Sequence, residues 1–413
     1  MNKVTAVLLF IVLSVSGLDG QVRTLDFYLS KGMAGSPLIR DFNNQLGSAG
    51  LDSLLVLAAR KPFVEGRSVF QYIPVYGKFG YDEVVTDGGN YQAMAGVSQD
   101  IFRKKATNNK LQAVELNRKS IGNSTEITKN ELTWLITSQY LASFSAYSDL
   151  NFNTEFLRLL DSENEIVKKL AAKGVYRQTD YLALLLETQT QEILVKRLKS
   201  DYESSVRQLN QLCGIDDSVS VILEIPLLKA PSAAGLASSA GYRQFAIDSM
   251  RIRNEITSID LNYRPKISWF ADAGFLTHDL TAFYNHFGYS AGLSLVVPIY
   301  DGNQRSLGKR KLDIEENTRS GYRDNFIVKY RQELLKLQGE LEAQAEITRS
   351  LEKQLATAGS LLSAMKTELE SGIIPMTDYI SAIKNFRSIN KALSDSRIMT
   401  QLLTGELNYI VNR

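Results

Sequence analysis

Residues 174–182, GVYRQTDYL, and residues 372–380, GIIPMTDYI, are two versions of one segment set 198 residues apart. The same offset pairs Tyr91 with Tyr289, Ala93 with Ala291, Ile101 with Ile299, Leu209 with Leu407 and Asn210 with Asn408. A register held from residue 91 to residue 210 without an insertion requires two copies of one long, rigid unit. Internal repetition of this kind restricts the fold more than any local pattern does.

The copies share one plan. Residues 24–61 read as helical, with Ser36-Pro37 opening one segment and Lys61-Pro62 closing the region, because Pro suits a first helical turn and pushes the residue before it out of the helix. Alternation and aromatic content from Val69 to Tyr81 predict a strand. Asp87-Gly88-Gly89-Asn90 is a turn signal, and Tyr91–Phe102 is a second strand, so 69–102 reads as a β-hairpin. From Arg103 to Lys173 helical spacing persists without Pro, about 100 Å of helix at the standard rise. Gly174 stops it, and a return helix follows from Thr179 to Leu212. Asp216-Asp217, Pro226, Pro231 and the small-residue run from Ser232 mark a connector over 214–240. The second copy, 241–413, repeats the order: a helix at 241–262, a hairpin at 267–300 with strands Ile267–Leu276 and Tyr289–Tyr300, and a helical hairpin at 303–411 turning at Gly372.

Near-heptad spacing joins the arms of the second hairpin. Ile347, Leu351, Leu355, Ala358, Leu362, Met365 and Leu369 on one arm face Tyr379, Ile383, Phe386, Ile389 and Leu393 on the other. An ordinary bundle core explains the same stripe. The predicted fold is therefore mainly α with a small β part: duplicated long coiled-coil hairpins plus two β-hairpins that contribute four strands.

The first 20 residues stand apart. Lys3 precedes an apolar run from Val4 to Val15, and Ser16-Gly17-Leu18-Asp19-Gly20 supplies small residues for cleavage, so 1–20 reads as a secretory signal peptide. The first repeat then occupies 21–213. No later stretch of 18 apolar residues predicts a membrane helix. The lone cysteine, Cys213, follows Leu209 and Leu212 on an apolar face and reads as a buried, inert thiol.

The same inventory excludes several classes. With 47 basic and 45 acidic residues mixed throughout, no basic stripe marks a nucleic-acid binder. The two histidines, His278 and His286, lie eight apart in a predicted loop away from Cys213, which is a poor metal set. No phosphate loop or nucleophile elbow is present, so neither an enzyme nor a cofactor site is expected.

The strands pose a closure problem. Aromatics flank both hairpins: Tyr72, Tyr76, Tyr81 and Tyr91 in one, Trp269, Phe270, Phe275 and Tyr289 in the other. Four strands leave exposed edges, which lipid does not tolerate. A membrane reading demands several chains: two give eight strands and a filled interior, three give twelve and room for a pore. The other reading is a small soluble sheet capping the helices.

The signal, the duplicated hairpins and the second-copy stretch Gly292-Leu293-Ser294-Leu295-Val296-Val297-Pro298-Ile299-Tyr300-Asp301-Gly302 resemble the TolC family of outer-membrane efflux ducts. The resemblance spans essentially the whole mature chain and rests on the order and duplication of motifs. It implies a homotrimer with a 12-stranded outer-membrane barrel and a long periplasmic α-barrel in a Gram-negative cell. Partners would be outer-membrane lipid, a periplasmic adaptor (membrane fusion protein) and an inner-membrane transporter. The implied function is passive export of drugs or other small molecules as the exit duct of a tripartite efflux system. The exit duct of a type I protein secretion system shares this fold, and a periplasmic coiled-coil adaptor or scaffold is the alternative from another class.

By this resemblance Pro298, Asp301 and Gly302 form the strand-to-helix turn, with Asp301 capping the helix. Gly174, Asp180, Gly372 and Thr377 belong to the periplasmic tip turns where an adaptor docks. Asp378, with Ser381 one turn on, would line the aperture, where three carboxylates form a cation-selective ring; Asp378 could instead simply cap the return helix beside Thr377, as Thr179-Asp180 could. Ser381 stands where a second acidic ring can lie, and Ile374 where an arginine latches the closed state in the family, so a single ring and a weaker latch are implied. The first copy lacks the Pro-Ile-Tyr-Asp-Gly turn and reads Asp100-Ile101-Phe102-Arg103-Lys104, placing Arg103-Lys104-Lys105 at the membrane boundary as headgroup anchors or as a solvated run. The second copy is expected to move at the tip while the first holds still.

Overall fold

A computed structural model of the 413-residue chain describes residues 21–73, 89–101, 103–174, 176–217, 221–231, 235–371 and 373–413. The expected signal peptide, Tyr76, Tyr81, most of the loop of the first hairpin and Gly372 lie outside the described residues. In chain order the elements are β1 (Gln21–Arg23), α1 (Leu25–Gly35), α2 (Pro37–Ala58), β2 (Phe63–Tyr72), β3 (Gly89–Ile101), α3 (Lys104–Ala172), α4 (Gln178–Cys213), β4 (Val221–Leu223), α5 (Ala240–Asn262), β5 (Lys266–Thr277), β6 (Phe287–Val296), α6 (Gln304–Glu370) and α7 (Met376–Asn412). Short 3-10 turns occupy Leu236–Ser238 and Leu280–Asn285.

The predicted repeat is present, with two corrections at the strands. β2 begins at Phe63, six residues before the expected Val69, because Pro62 ends the helical region and the chain runs straight into extended backbone. β6 ends at Val296 rather than at Tyr300, with Pro298 two residues beyond the last pair. Proline has no N–H for the ladder, which limits pairing at this point.

The chain divides into two compact units. One comprises α1, the later parts of α3 and α6, α4, the connector and nearly all of α7. Its core near the connector is built from Leu25, Tyr28, Ile136, Tyr140, Tyr202, Val206, Leu209 and Cys213 with Val221 and Leu223. One feature of this unit was not legible in the sequence: β1 and β4 pair in parallel, Gln21 to Val221 through Arg23 to Leu223. Buried tyrosines hold that pairing. The Tyr202 hydroxyl donates to the Val221 carbonyl at 2.6 Å, and the Tyr140 hydroxyl lies 3.1 Å from the Arg23 carbonyl and 2.8 Å from that of Glu224. Cys213 is buried here, and desolvation pushes its thiol up to about 11, which keeps it protonated and inert as expected.

A second core in this unit lies around the hairpin turns: Phe156, Leu160 and Val167 of α3, Leu184 of α4, Leu369 of α6, and Met376, Tyr379 and Ile383 of α7. It takes in Leu362, Met365, Leu369, Tyr379 and Ile383 of the predicted seam, and the remaining seam positions beyond it are buried or half-buried but for one. Ile347 is the exception, 49% exposed; at its level Gln344 donates to Ser396 Oγ at 2.6 Å and Thr348 pairs with the same hydroxyl at 2.7 Å. A polar layer replaces the apolar contact there.

The other unit holds α2, the four-stranded sheet, the first part of α3, α5 and the first part of α6. Asn109 Nδ2 donates to Asn254 Oδ1 at 2.7 Å and Asn254 Nδ2 donates to the Asn109 backbone carbonyl at 3.3 Å, which ties α3 to α5. Both residues are buried, and pairing them satisfies groups that would otherwise be costly to desolvate.

Candidate functional site: an open sheet and the start of the return helix

The sheet has the antiparallel order β2-β3-β5-β6. Its register sorts the side chains sharply. Glu65 lies opposite Gly96, Gly96 opposite Asp272, and Asp272 opposite Ser290. Following the two-residue period from that row, one face carries Glu65, Arg67, Asp100, Lys266 and Asp272, which are all the charged residues of the four strands, together with Asn90, Gln92 and Ser294. The other face has no charge and carries Val64, Phe70, Tyr91, Ala95, Val97, Ala271, Ala291, Leu293 and Leu295 among others.

Aromatics bracket this apolar face. Phe70, Tyr72, Tyr91, Phe275, Phe287 and Tyr289 gather toward one end, with Phe275 and Phe287 at 5.4 Å between ring centroids. Trp269 stands toward the other end, eight residues along β3 from the Tyr91 row, about 26 Å of strand. The middle is small residues, Ala93, Ala95, Ala271, Ala273 and Ala291 with Val97, Gly66 and Ser68. Strands of 10 to 13 residues match the length that crosses hydrocarbon, and the pattern of apolar band, aromatic girdles and polar reverse face is that of a membrane barrel wall. No described helix is long and apolar enough to cross a membrane. Within the chain, β2 and β6 each pair on one side only.

After β6 the chain enters α6 through a tight turn at Asp301-Gly302-Asn303. Gly302 (φ 62°) and Asn303 (φ 68°) both take left-handed backbone, which glycine and asparagine tolerate best. Asp301 accepts from the Asn303 N–H at 2.9 Å and from the Arg305 N–H at 2.8 Å, so it caps α6. The bond from the Arg305 backbone, followed by one from the Tyr263 hydroxyl, holds the Asp301 carboxyl below the usual carboxylate range. Arg305 and Lys309 in turn clasp Asp260 of α5 at 2.6 Å and 2.7 Å.

At the hairpin turns the two copies differ. Gly174 ends α3 with φ 74°, a conformation that strains any L side chain. Asp180, in the first turn of α4, accepts from the Arg177 N–H at 3.3 Å, closing the helix start. The matching bond cannot form in the second copy, because residue 375 is proline and has no N–H. The Asp378 carboxylate therefore has no backbone cap to make at that position; it is exposed, and among the described residues its hydrogen-bond partner is the Thr377 hydroxyl at 3.4 Å. Ser381, also exposed, lies one turn on and returns its hydroxyl to the Thr377 carbonyl at 2.9 Å. Met376, Tyr379 and Ile383 turn into the core, so Asp378 and Ser381 share the face of α7 that points away from it. Ile374 packs against the core rather than forming a polar latch. In the first copy the residue at the same place, Tyr176, donates its hydroxyl to the Leu369 carbonyl at 3.1 Å and ties that turn to α6.

A further constellation escaped the sequence reading. Arg387 of α7 donates to Gln191 Oε1 of α4 at 3.0 Å and to Asn153 Oδ1 of α3, and its guanidinium lies 4.8 Å from the centre of the Phe156 ring. Burial lowers the Arg387 pKa. One turn to either side, Lys391 bonds Asp149 at 2.6 Å and Lys384 bonds Glu187 at 2.8 Å. Burial is the largest single influence and lowers the Lys391 pKa, but the hydrogen bonds and charges of Asp149 and Asp395 together outweigh it, so the net shift is upward. The available signal was Arg387 itself, a charge four residues after Ile383 on the apolar side of the helix.

No family model matches the sequence, and no curated protein matches it. Solved structures do match in fold. A membrane protein from Pseudomonas aeruginosa superposes with a TM-score of 0.75 at 14% identity, covering 95% of this chain and 91% of that one. CusC, whose structures concern folding and transmembrane channel formation, gives 0.74 at 14% identity over 94% of this chain and 92% of its own. The outer-membrane channel OprN gives 0.73 at 12% identity over 94% and 90%. The chain has the TolC-type fold of these outer-membrane channels.

Proposed function

We propose that this chain is the outer-membrane exit duct of a tripartite efflux system, a homotrimer that passes drugs and other small molecules outward without making or breaking bonds. The observation that supports this most is the segregation of charge in the sheet. All five strand charges lie on one face and an aromatic-bracketed apolar band on the other. Such a sheet satisfies lipid only when its free edges on β2 and β6 meet other copies, and three copies give twelve strands around a wet lumen. In this reading the helices extend into the periplasm, and the hairpin turns, with Gly174, Asp180, Gly372 and Thr377, receive an adaptor coupled to an inner-membrane transporter. Asp378 rings the aperture.

The test is reconstitution of the purified protein in planar bilayers, with its mass measured in detergent. A mass of three chains and steady cation-favouring conductance are expected. A monomer that stays in solution without detergent overturns the proposal.

A further inference from the structure

We propose that each protomer binds the phosphate headgroup of an anionic glycerophospholipid in a pocket where the end of α2, the end of β3 and the start of α3 meet. The proposal rests on the membrane reading of the sheet.

The pocket has a cavity of about 400 Å³ and its cations are Arg60, Arg103, Lys104 and Lys110, against one carboxylate, Asp100. Asp100 is already paired with Arg103. Arg60, Lys104 and Lys110 are exposed and form no ion pair among the described residues, so the cavity holds three uncompensated cations. The start of α3 adds to this field. The N–H groups of its first turn have no carbonyl within the helix and carry the positive end of a 69-residue helix.

The wall chemistry fits a lipid rather than a bare ion. Val56 and Ala59 of α2 and Ile101 of β3 supply apolar surface beside the cations. Ile101 and Gln99 belong to the uncharged face of the sheet, so the pocket opens at the limit of the band assigned to hydrocarbon. Its floor is fixed: Gln99 donates to the Arg60 carbonyl at 2.8 Å and accepts from Trp269 Nε1 at 3.1 Å. Tryptophan at this level is characteristic of a headgroup interface.

The surroundings point the same way. Three of the four chain passages at this end of the sheet are basic: Arg60-Lys61 before β2, Arg103-Lys104-Lys105 after β3, and Arg264 with Lys266 at the start of β5, whereas Arg305 and Lys309 after β6 are engaged by Asp260. Cations flanking a membrane-spanning segment attract anionic headgroups, and a concave site among them gives that attraction a defined position. Arg103-Lys104 is thus more than a solvated run.

The test compares binding of phosphatidylglycerol, phosphatidylcholine and free sodium phosphate to the full-length protein in neutral detergent, read by native mass spectrometry and by displacement of a labelled phosphatidylglycerol. Phosphatidylglycerol is expected to bind at least about tenfold more tightly than phosphatidylcholine. The triple variant Arg60→Gln, Lys104→Gln, Lys110→Gln should lose that preference while keeping its helicity and oligomeric mass. The variant Lys168→Gln, Lys169→Gln, with equally exposed cations elsewhere, should keep it. An unchanged preference in the triple variant, or an equal loss in the control, overturns the assignment. Displacement by millimolar phosphate as effective as that by phosphatidylglycerol also overturns it and makes the site one for a free anion. If the protein conducts in phosphatidylcholine bilayers but shows no preference, this proposal fails alone; if it enters no bilayer, the membrane reading fails.

Discussion

Arg387→Leu should loosen α7 in the half-buried layer that joins it to α3 and α4. The arginine supplies one N–H bond to Gln191 Oε1 and one to Asn153 Oδ1, with its guanidinium over Phe156. Asn153 Oδ1 keeps a donor after the change, because Gln191 Nε2 also bonds it at 3.1 Å. Gln191 Oε1 has no second donor among the described residues and sits on a residue only 3% exposed. Leaving one buried acceptor unpaired costs about 1–3 kcal/mol, and the ring contact adds about 0.5–2 kcal/mol. Against these stands the relief of no longer burying a charge, visible in the lowered Arg387 pKa. A net loss of about 2 kcal/mol corresponds to a roughly 30-fold increase in local opening. Hydrogen exchange measured by mass spectrometry over residues 379–394 reads this directly. The triple variant Arg387→Leu, Gln191→Leu, Asn153→Leu removes the donor together with both of its buried acceptors and should recover most of the protection. Unchanged exchange in the single variant, or a triple variant as loose as the single, refutes the reasoning.

Two further expectations follow from the turns. Asp378→Asn should reduce cation over anion selectivity of the reconstituted channel without altering α7, since Pro375 relieves this carboxylate of capping; unchanged reversal potentials remove it from the aperture. At the start of α6, the Asp301 carboxyl titrates below its unfolded value, so its stabilisation is complete above about pH 4 and is lost as pH falls through the lower folded value. Amide exchange at Asn303 and Arg305 should therefore rise only in that acid range, and loosening near pH 6 would exclude Asp301 as the cause.

Most of the helical plan was legible because its signals are local. Pro37, Gly174 and the break near residue 214 mark boundaries that the helices respect within one or two residues. The seam was legible where apolar spacing persists, and failed at Ile347 because Ser396 on the facing helix is polar and recruits Gln344 and Thr348 instead. β1 and β4 were hidden because three residues carry no period and their pairing joins positions 200 apart. At the candidate aperture, Asp378 and Asp180 read alike in the sequence. Only the consequence of Pro375 for the helix start separates a free carboxylate from a capping one. The charge segregation of the sheet was equally out of reach, since it depends on a register that strand periodicity alone does not set.

The central claim is that the uncharged face of the sheet meets lipid and the charged face meets water. Single cysteines placed in turn at residues 289–295 of β6 test it, and the native Cys213 leaves the assay clear because it is buried and its thiol is pushed up to about 11. In bilayers, a water-soluble thiol reagent should label positions 290, 292 and 294, while probes at 289, 291, 293 and 295 should be quenched by bromine-labelled acyl chains. Labelling of all seven from water, with no acyl-chain quenching, would contradict the account.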